Sequence, residues 1–214
     1  MIASIIDHTY LKPDATLNDI IKLIEEATKY NFASICIAPT WVPFASGALK
    51  HHKTNICCVI GFPHGNNSLH AKKEEIKFCS YNKADEFDVV INIGAIKSGK
   101  WGEIEVEVAE VRQTTKGKIL KYIIETGYLT VAETEKVCKI LLNNNVDYVK
   151  TSTGYGPRGA SIEDMILLKG IVGDKMKIKA SGGIKTYEFA KQLIDKGADR
   201  LGTSSGIEII KNAI

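Results

Sequence analysis

The chain has 214 residues, 44% of them hydrophobic and 25% charged, with a formal net charge of +3. That is ordinary globular composition, sufficient for a sizeable core. The lysines are scattered with no interleaved aromatics, and no apolar run reaches the roughly 18 residues of a membrane span, so neither nucleic acid nor membrane is an expected partner.

The N-terminal MIASIIDHTYLKPD has no basic segment leading into a long apolar stretch, so no signal peptide is expected. Eight β-rich runs then recur: SIIDHTYL, ASICIAP, NICCVIGFP, EFDVVINIG, ILKYIIETG, YVKTSTG, KIKASGG and RLGTSS. Most are about 25 to 30 residues apart, which suits one strand, one helix and two loops per unit. Thr16-x-x-Asp19, Thr130-x-x-Glu133 and Ser161-x-x-Asp164 read as capping boxes that start helices. After the first, Leu17, Ile20, Ile21, Ile24 and Ala27 fall on one helical face. Alternating βα units predict a parallel sheet. Eight of them predict a closed (β/α)8 TIM barrel rather than an open doubly wound sheet. No linker or break in composition divides the chain, so residues 1–214 are expected to form one catalytic domain. The cysteines, Cys36, Cys57, Cys58, Cys79 and Cys138, form no CxxC and lie mostly in apolar runs; they read as reduced thiols of a cytoplasmic protein.

Strand parity carries the first functional signal, because alternate residues face opposite sides of a sheet. Val149 and Thr151 oppose Tyr148, Lys150 and Ser152; Ile178 and Ala180 oppose Lys177, Lys179 and Ser181. Phe87, Val89 and Ile91 oppose Asp88, while Leu120, Tyr122 and Ile124 oppose Lys121 and Glu125. With the apolar sets against the helices, Asp88, Lys121, Glu125, Lys150 and Lys179 point into the lumen. Five ionisable groups there are costly to bury, and active sites of such barrels lie at the C-terminal strand ends. Lys150 and Lys179 sit on neighbouring strands about 4.8 Å apart. At about 4 Å and an effective dielectric of about 20, two ammonium groups repel by about 4 kcal/mol. One of the pair is then expected to act as a free amine, a nucleophile toward aldehydes and ketones.

The last three strands end in STG, SGG and GTSS. Loops after the seventh and eighth strands of a barrel often bind phosphate. Gly154, Gly182, Gly183, Gly202, Ser204, Ser205 and Lys185 are the candidate contacts. Gly154-x-Gly156-x-x-Gly159 matches the dinucleotide fingerprint but lacks the acid about 20 residues on, so a nicotinamide site is not expected. The histidines form no metal-ligand pattern; His51 and His52 read as surface residues, and His8 and His64 lie near strand ends. No cofactor or metal is expected.

With IIDHTYLKP, GFPHG, DEFDVVINIG, KYIIETGYL, YVKTSTGYG, KASGGIKT and LGTSSG in order, the chain resembles the deoxyribose-phosphate aldolase family over nearly its whole length. The resemblance implies a metal-independent class I aldolase that reversibly cleaves 2-deoxy-D-ribose 5-phosphate to acetaldehyde and D-glyceraldehyde 3-phosphate in deoxynucleoside catabolism. It implies Lys150 as the imine-forming lysine, Lys179 as the lysine that tunes it, and Asp88 as the proton relay. Phosphate contacts match the residues above, and Asp7 and Cys36 match pocket-lining positions, with Lys121 and Thr151 as further candidates. Lys121 either holds Asp88 or pairs with Glu125; the sequence allows both. The expected partners are a sugar phosphate and aldehydes, and a homodimer is common in the family. One departure is that some members end in a tyrosine implicated in proton transfer, whereas the last tyrosine here is Tyr187. Alternatives are another imine-forming sugar-phosphate aldolase or transaldolase, and a non-catalytic phosphate-binding barrel.

Overall fold

The computed structural model describes residues 2–213. Among these, eight parallel strands close into a barrel in chain order. They are β1 (Ile6–Thr9), β2 (Ser34–Ile37), β3 (Asn55–Ile60), β4 (Glu86–Val90), β5 (Ile119–Ile123), β6 (Tyr148–Lys150), β7 (Lys177–Ser181) and β8 (Arg200–Thr203). β8 closes on β1 with Asp7 opposite Gly202. Each predicted β-rich run holds one strand, so the architecture is the (β/α)8 TIM barrel that the alternation implied. Strands are shorter than the runs; residues 2–5, for example, make a 3-10 turn before β1.

Two predicted helix starts form complete capping boxes. Before α1 (Leu17–Tyr30), the Thr16 N–H donates to Asp19 Oδ2 at 2.8 Å and the Asp19 N–H to Thr16 Oγ1 at 3.4 Å. Before α6 (Val131–Asn143), Thr130 and Glu133 make the same exchange at 2.8 and 3.2 Å. Ahead of α7 (Ile162–Val172) only half the box forms. Ser161 accepts from the Asp164 N–H, but Arg158 and Thr126 take the Asp164 carboxylate. The buried face of α1 also differs from its expected stripe. Ile20, Leu23, Ile24 and Ala27 are buried, while Leu17 and Ile21 stand at its exposed edge, because the buried arc is narrower than the run of apolar residues.

Parity holds through the strands that carry charge. Phe87, Val89, Ile91, Leu120, Tyr122, Ile124, Val149, Ile178 and Ala180 all join the apolar layer between sheet and helices. A buried ion pair fastens that layer: Lys72 on α3 (Leu69–Tyr81) reaches Glu107 on α5 (Trp101–Thr114) at 2.9 Å and Val90 O at 2.8 Å. The lumen is filled differently, by buried charge and a small apolar cluster of Cys36, Cys57 and Val59 under Leu11 and Phe62.

Backbone packs directly on backbone where β3 turns toward α3. Gly65 has φ +70°, and a Cβ there would lie 2.0 Å from Ile91 O. A side chain would force both strain and displacement of the β4 end. Gly65→Ala is therefore expected to cost about 3 kcal/mol or more. Thermal melting should show a fall of about 6 °C or more, and an unchanged midpoint would contradict the packing described.

Candidate active site

Asp88 is the hub of the barrel floor. Its Oδ2 accepts hydrogen bonds from Lys150 Nζ and Lys179 Nζ, each at 2.7 Å. Its Oδ1 accepts from Lys121 Nζ at 2.9 Å and Cys57 Sγ at 3.1 Å. The β4–β5 and β6–β7 registers set this up by placing Asp88 beside Lys121 and Lys150 beside Lys179. Further carboxylates complete the layer. Asp7 pairs with Lys179 and accepts from Arg200 Nη1 at 2.6 Å and Ser34 Oγ at 2.7 Å. Glu86 lies 2.5 Å from Lys121 Nζ and 3.5 Å from Arg200 Nη1.

The choice that the sequence left open for Lys121 is therefore decided: it holds Asp88, not Glu125. β5 ends at Ile123, so strand parity no longer governs Glu125. Its backbone turns left-handed, with φ 53°. The Glu125 carboxylate accepts from the Thr153 N–H at 3.0 Å and from the Thr153 hydroxyl. It clamps the loop after β6 instead of joining the floor.

The expected lysine–lysine repulsion is also altered, because acids stand between the cations. Burial pushes the Lys179 ammonium toward the neutral form, but Asp7 and Asp88 outweigh it and hold the group above its ordinary value. Lys121 behaves likewise, with Asp88 its largest opposing influence. Burial would raise the Asp88 carboxyl, yet Lys121, Lys150 and Lys179 hold it well below the usual carboxylate range. Asp7 is lowered in the same way by Lys179, Lys121 and Arg200. Three carboxylates thus face four cationic side chains. Lys150 is the lysine of this layer that reaches the surface, at 3% exposed, where Lys121 and Lys179 are fully buried.

Lys150 opens into a cavity of about 450 Å³ over β6, β7 and β8. Gly154, Gly182, Gly183, Gly202, Ser204 and Lys185 line it. Gly154, Gly182 and Gly183 hold φ of 87°, 86° and 76°, which residues with a Cβ rarely adopt. Ser205 is not in this wall; its N–H donates to Thr203 Oγ1 at 2.9 Å. Asp7, Cys36, Lys121 and Thr151 do not line the cavity either. The first three lie in the layer beneath, and Thr151 turns to the helix side, bridging to Ser181 O at 3.2 Å. The false dinucleotide fingerprint has a packing origin: a Cβ on Gly159 would meet Gly182 O at 2.2 Å, and one on Gly156 would meet the Glu125 carboxyl carbon at 2.6 Å.

His8 faces the helices, with Nε2 2.7 Å from Glu26 and its ring against Phe32, and His64 is exposed. Two donor sets have metal-like geometry, Cys36–Cys57–Asp88 and Asp7–Cys57–Glu86. Lysine and arginine charges already hold the carboxylates of both sets. The sequence reading passed over Glu86 and Arg200. Glu86 shares parity with Asp88, and Arg200 shares it with Gly202, so extending the alternation to the strand starts would have found both.

The model of the DeoC/LacD family aldolases matches residues 1–212. The chain belongs to this family. It is 47% identical to a deoxyribose-phosphate aldolase of Carboxydothermus hydrogenoformans, over all of this chain and 95% of that one. It is 48% identical to one of Lactococcus lactis subsp. cremoris, over 96% and 94% of the two chains. Among solved structures, the tetrameric deoxyribose phosphate aldolase of Aeropyrum pernix superposes with a TM-score of 0.92 at 30% identity, over 98% of this chain and 89% of that one. The protein is an aldolase, and among the described residues no helix is long and apolar enough to cross a membrane.

The floor of this aldolase makes a pH-dependent prediction. A carboxylate held below its ordinary value contributes stability above its unfolded pKa of about 3.9, and loses it as pH falls toward the folded value. Lys121→Met removes the cation that Asp88 and Glu86 share, leaving Asp88 with Lys150 and Lys179 and Glu86 with Arg200, and is expected to cost about 1.5–3 kcal/mol at neutral pH. Melting curves should show this deficit constant from pH 7 to about 4 and shrinking only below that, where the wild type begins to lose the same contribution. A deficit that stays constant there as well would contradict the pairing.

Proposed function

We propose that the protein cleaves 2-deoxy-D-ribose 5-phosphate reversibly to acetaldehyde and D-glyceraldehyde 3-phosphate, with Lys150 as the imine-forming nucleophile. The carrying observation is that Lys150, alone among the lysines on Asp88, opens into a cavity walled by glycines, Ser204 and Lys185. Family membership and the names of the relatives support the same substrate. The cavity is the anion site in this reading: positive-φ glycines let the backbone approach a phosphate closely, and Lys185 adds a charge. Five reduced cysteines, all buried, suit a cytoplasmic, single-domain catalyst whose partners are the sugar phosphate and its aldehydes.

The chemistry follows from the floor. The free amine of Lys150 attacks C1 of the open-chain sugar, and the carbinolamine loses water to give an iminium. That cation draws electrons as the C3 hydroxyl gives up its proton and the C2–C3 bond breaks. Glyceraldehyde 3-phosphate leaves, and the enamine on Lys150 is protonated at C2. Hydrolysis then releases acetaldehyde and restores the amine. With Lys150 engaged in the imine, Asp88 takes the C3 hydroxyl proton through water and returns one to C2 of the enamine, while its bonds to Lys121 and Lys179 keep it from holding the proton between those steps. Phosphate contacts remote from the breaking bond supply positioning energy.

Borohydride added during turnover should fix the substrate carbon on Lys150, read by peptide mass, and Lys150→Leu should show no adduct. Retained phosphate binding without any lysine adduct would sink the aldolase reading. Lys179→Leu removes the cation that shares Asp88 with Lys150 and is expected to cost most of the activity at pH 7, with part of it regained at high pH. A loss of the same size at every pH would contradict an electrostatic role for Lys179.

A further inference from the structure

The barrel mouth holds a second cavity that this reaction leaves unused. It measures about 470 Å³ and lies over β2 and β3, with Ala38, Pro39, Trp41 and Phe62 as its apolar wall and Thr40 and Glu75 as polar members. Val59 also lines it, and belongs to the same buried cluster as Cys57, which donates to Asp88. The second cavity therefore reaches down to within one residue of the ion cluster. It also shares Leu11, Lys12 and Tyr155 with the cavity over Lys150. Tyr155 forms the partition. Its hydroxyl donates to Leu11 O at 2.9 Å across the mouth, and its ring stands edge-on to Phe62 with centroids 5.5 Å apart. The residue is 52% exposed, and a strap held by one exposed hydrogen bond opens at little cost.

The two cavities differ in chemistry. Over Lys150 an apolar chain would strip water from ammonium and backbone N–H groups without replacing their hydrogen bonds, which is unfavourable. Against Trp41, Phe62 and Pro39 the same chain would leave water at a gain. We infer that the cavity over β2 and β3 is a second substrate chamber, which takes the apolar chain of an unphosphorylated acceptor aldehyde, with Tyr155 setting access to it. The inference rests on the aldolase reading. In the reaction it serves, the enamine carbon on Lys150 bonds to the acceptor carbonyl carbon and the carbonyl oxygen takes up a proton. Water then hydrolyses the iminium and frees Lys150. The acceptor carbonyl sits over Lys150 while its chain passes beneath Tyr155.

Acetaldehyde addition to hexanal and to D-glyceraldehyde 3-phosphate tests this in the wild type, Ala38→Trp and Tyr155→Phe. Ala38→Trp fills the chamber. It should lower kcat/KM for hexanal about tenfold or more while the phosphorylated acceptor stays within about twofold. Tyr155→Phe removes the strap and should raise kcat/KM for hexanal about fivefold. Parallel losses for both acceptors, or no selective loss for hexanal, would overturn the inference. Should Ala38→Trp fail to fold, 1-hexanol serves with the wild type. It should compete with hexanal and leave the KM for deoxyribose 5-phosphate unmoved; an equal effect on both, or none, overturns the inference. The two readings fail separately. Absence of a trapped Lys150 adduct with deoxyribose 5-phosphate defeats the aldolase reading, whereas a normal adduct with an unselective Ala38→Trp defeats only the chamber.

Discussion

Burying the Asp88 carboxylate at the barrel centre is costly unless cations and donors replace its hydration. Lys121, Lys150, Lys179 and Cys57 do so, two to each oxygen. Those lysines bring a second demand, because their own desolvation must be offset. Asp7 and Glu86 answer it, and Arg200 answers them in turn. The outcome is a layer of alternating charge in place of the aliphatic packing usual for a small barrel. A stabilising core would not be built this way. The layer gives no support to a phosphate-binding barrel without catalysis, which has no use for convergent lysines.

The same layer explains a division of labour. Lys121 and Lys179 are enclosed and held as cations by the carboxylates around them. Lys150 is at the upper edge, where β6 ends and the Gly-rich loop begins. Glu125 clamps that loop through Thr153, so Lys150 and the glycine-lined wall of its cavity are positioned by one short segment. Tyr155, one residue past Gly154, stands between the cavity over Lys150 and the one over β2 and β3.

Much of this was legible in the sequence. Eight β-rich runs, two complete capping boxes and strict alternation in β4 to β7 carried the barrel and the lumen residues Asp88, Lys121, Lys150 and Lys179. What was not legible has physical causes. Glu125 was assigned to the lumen because alternation was extended past the strand end, where the backbone turns left-handed. Glu86 and Arg200 share strand parity with Asp88 and Gly202, but they stand at the strand starts, where the alternation was not followed; their partners Lys121 and Asp7 come from the neighbouring strands. Ser205 stands outside the lining of the cavity over Lys150, with its N–H on Thr203 Oγ1. Leu17 and Ile21 are apolar yet lie off the buried arc of α1, and only the packing of the helix on the sheet decides which residues of a wide apolar face are covered.

The central claim is that the ion cluster spares one lysine for carbon and sets it beside the phosphate wall. A crystal structure of the borohydride-reduced adduct formed from deoxyribose 5-phosphate tests it most directly. Density is expected to run unbroken from Lys150 Nζ to a phosphate lying against Gly182, Gly183 and Ser204. An adduct on Lys179 or Lys121, or a phosphate bound away from that wall, would contradict the assignment.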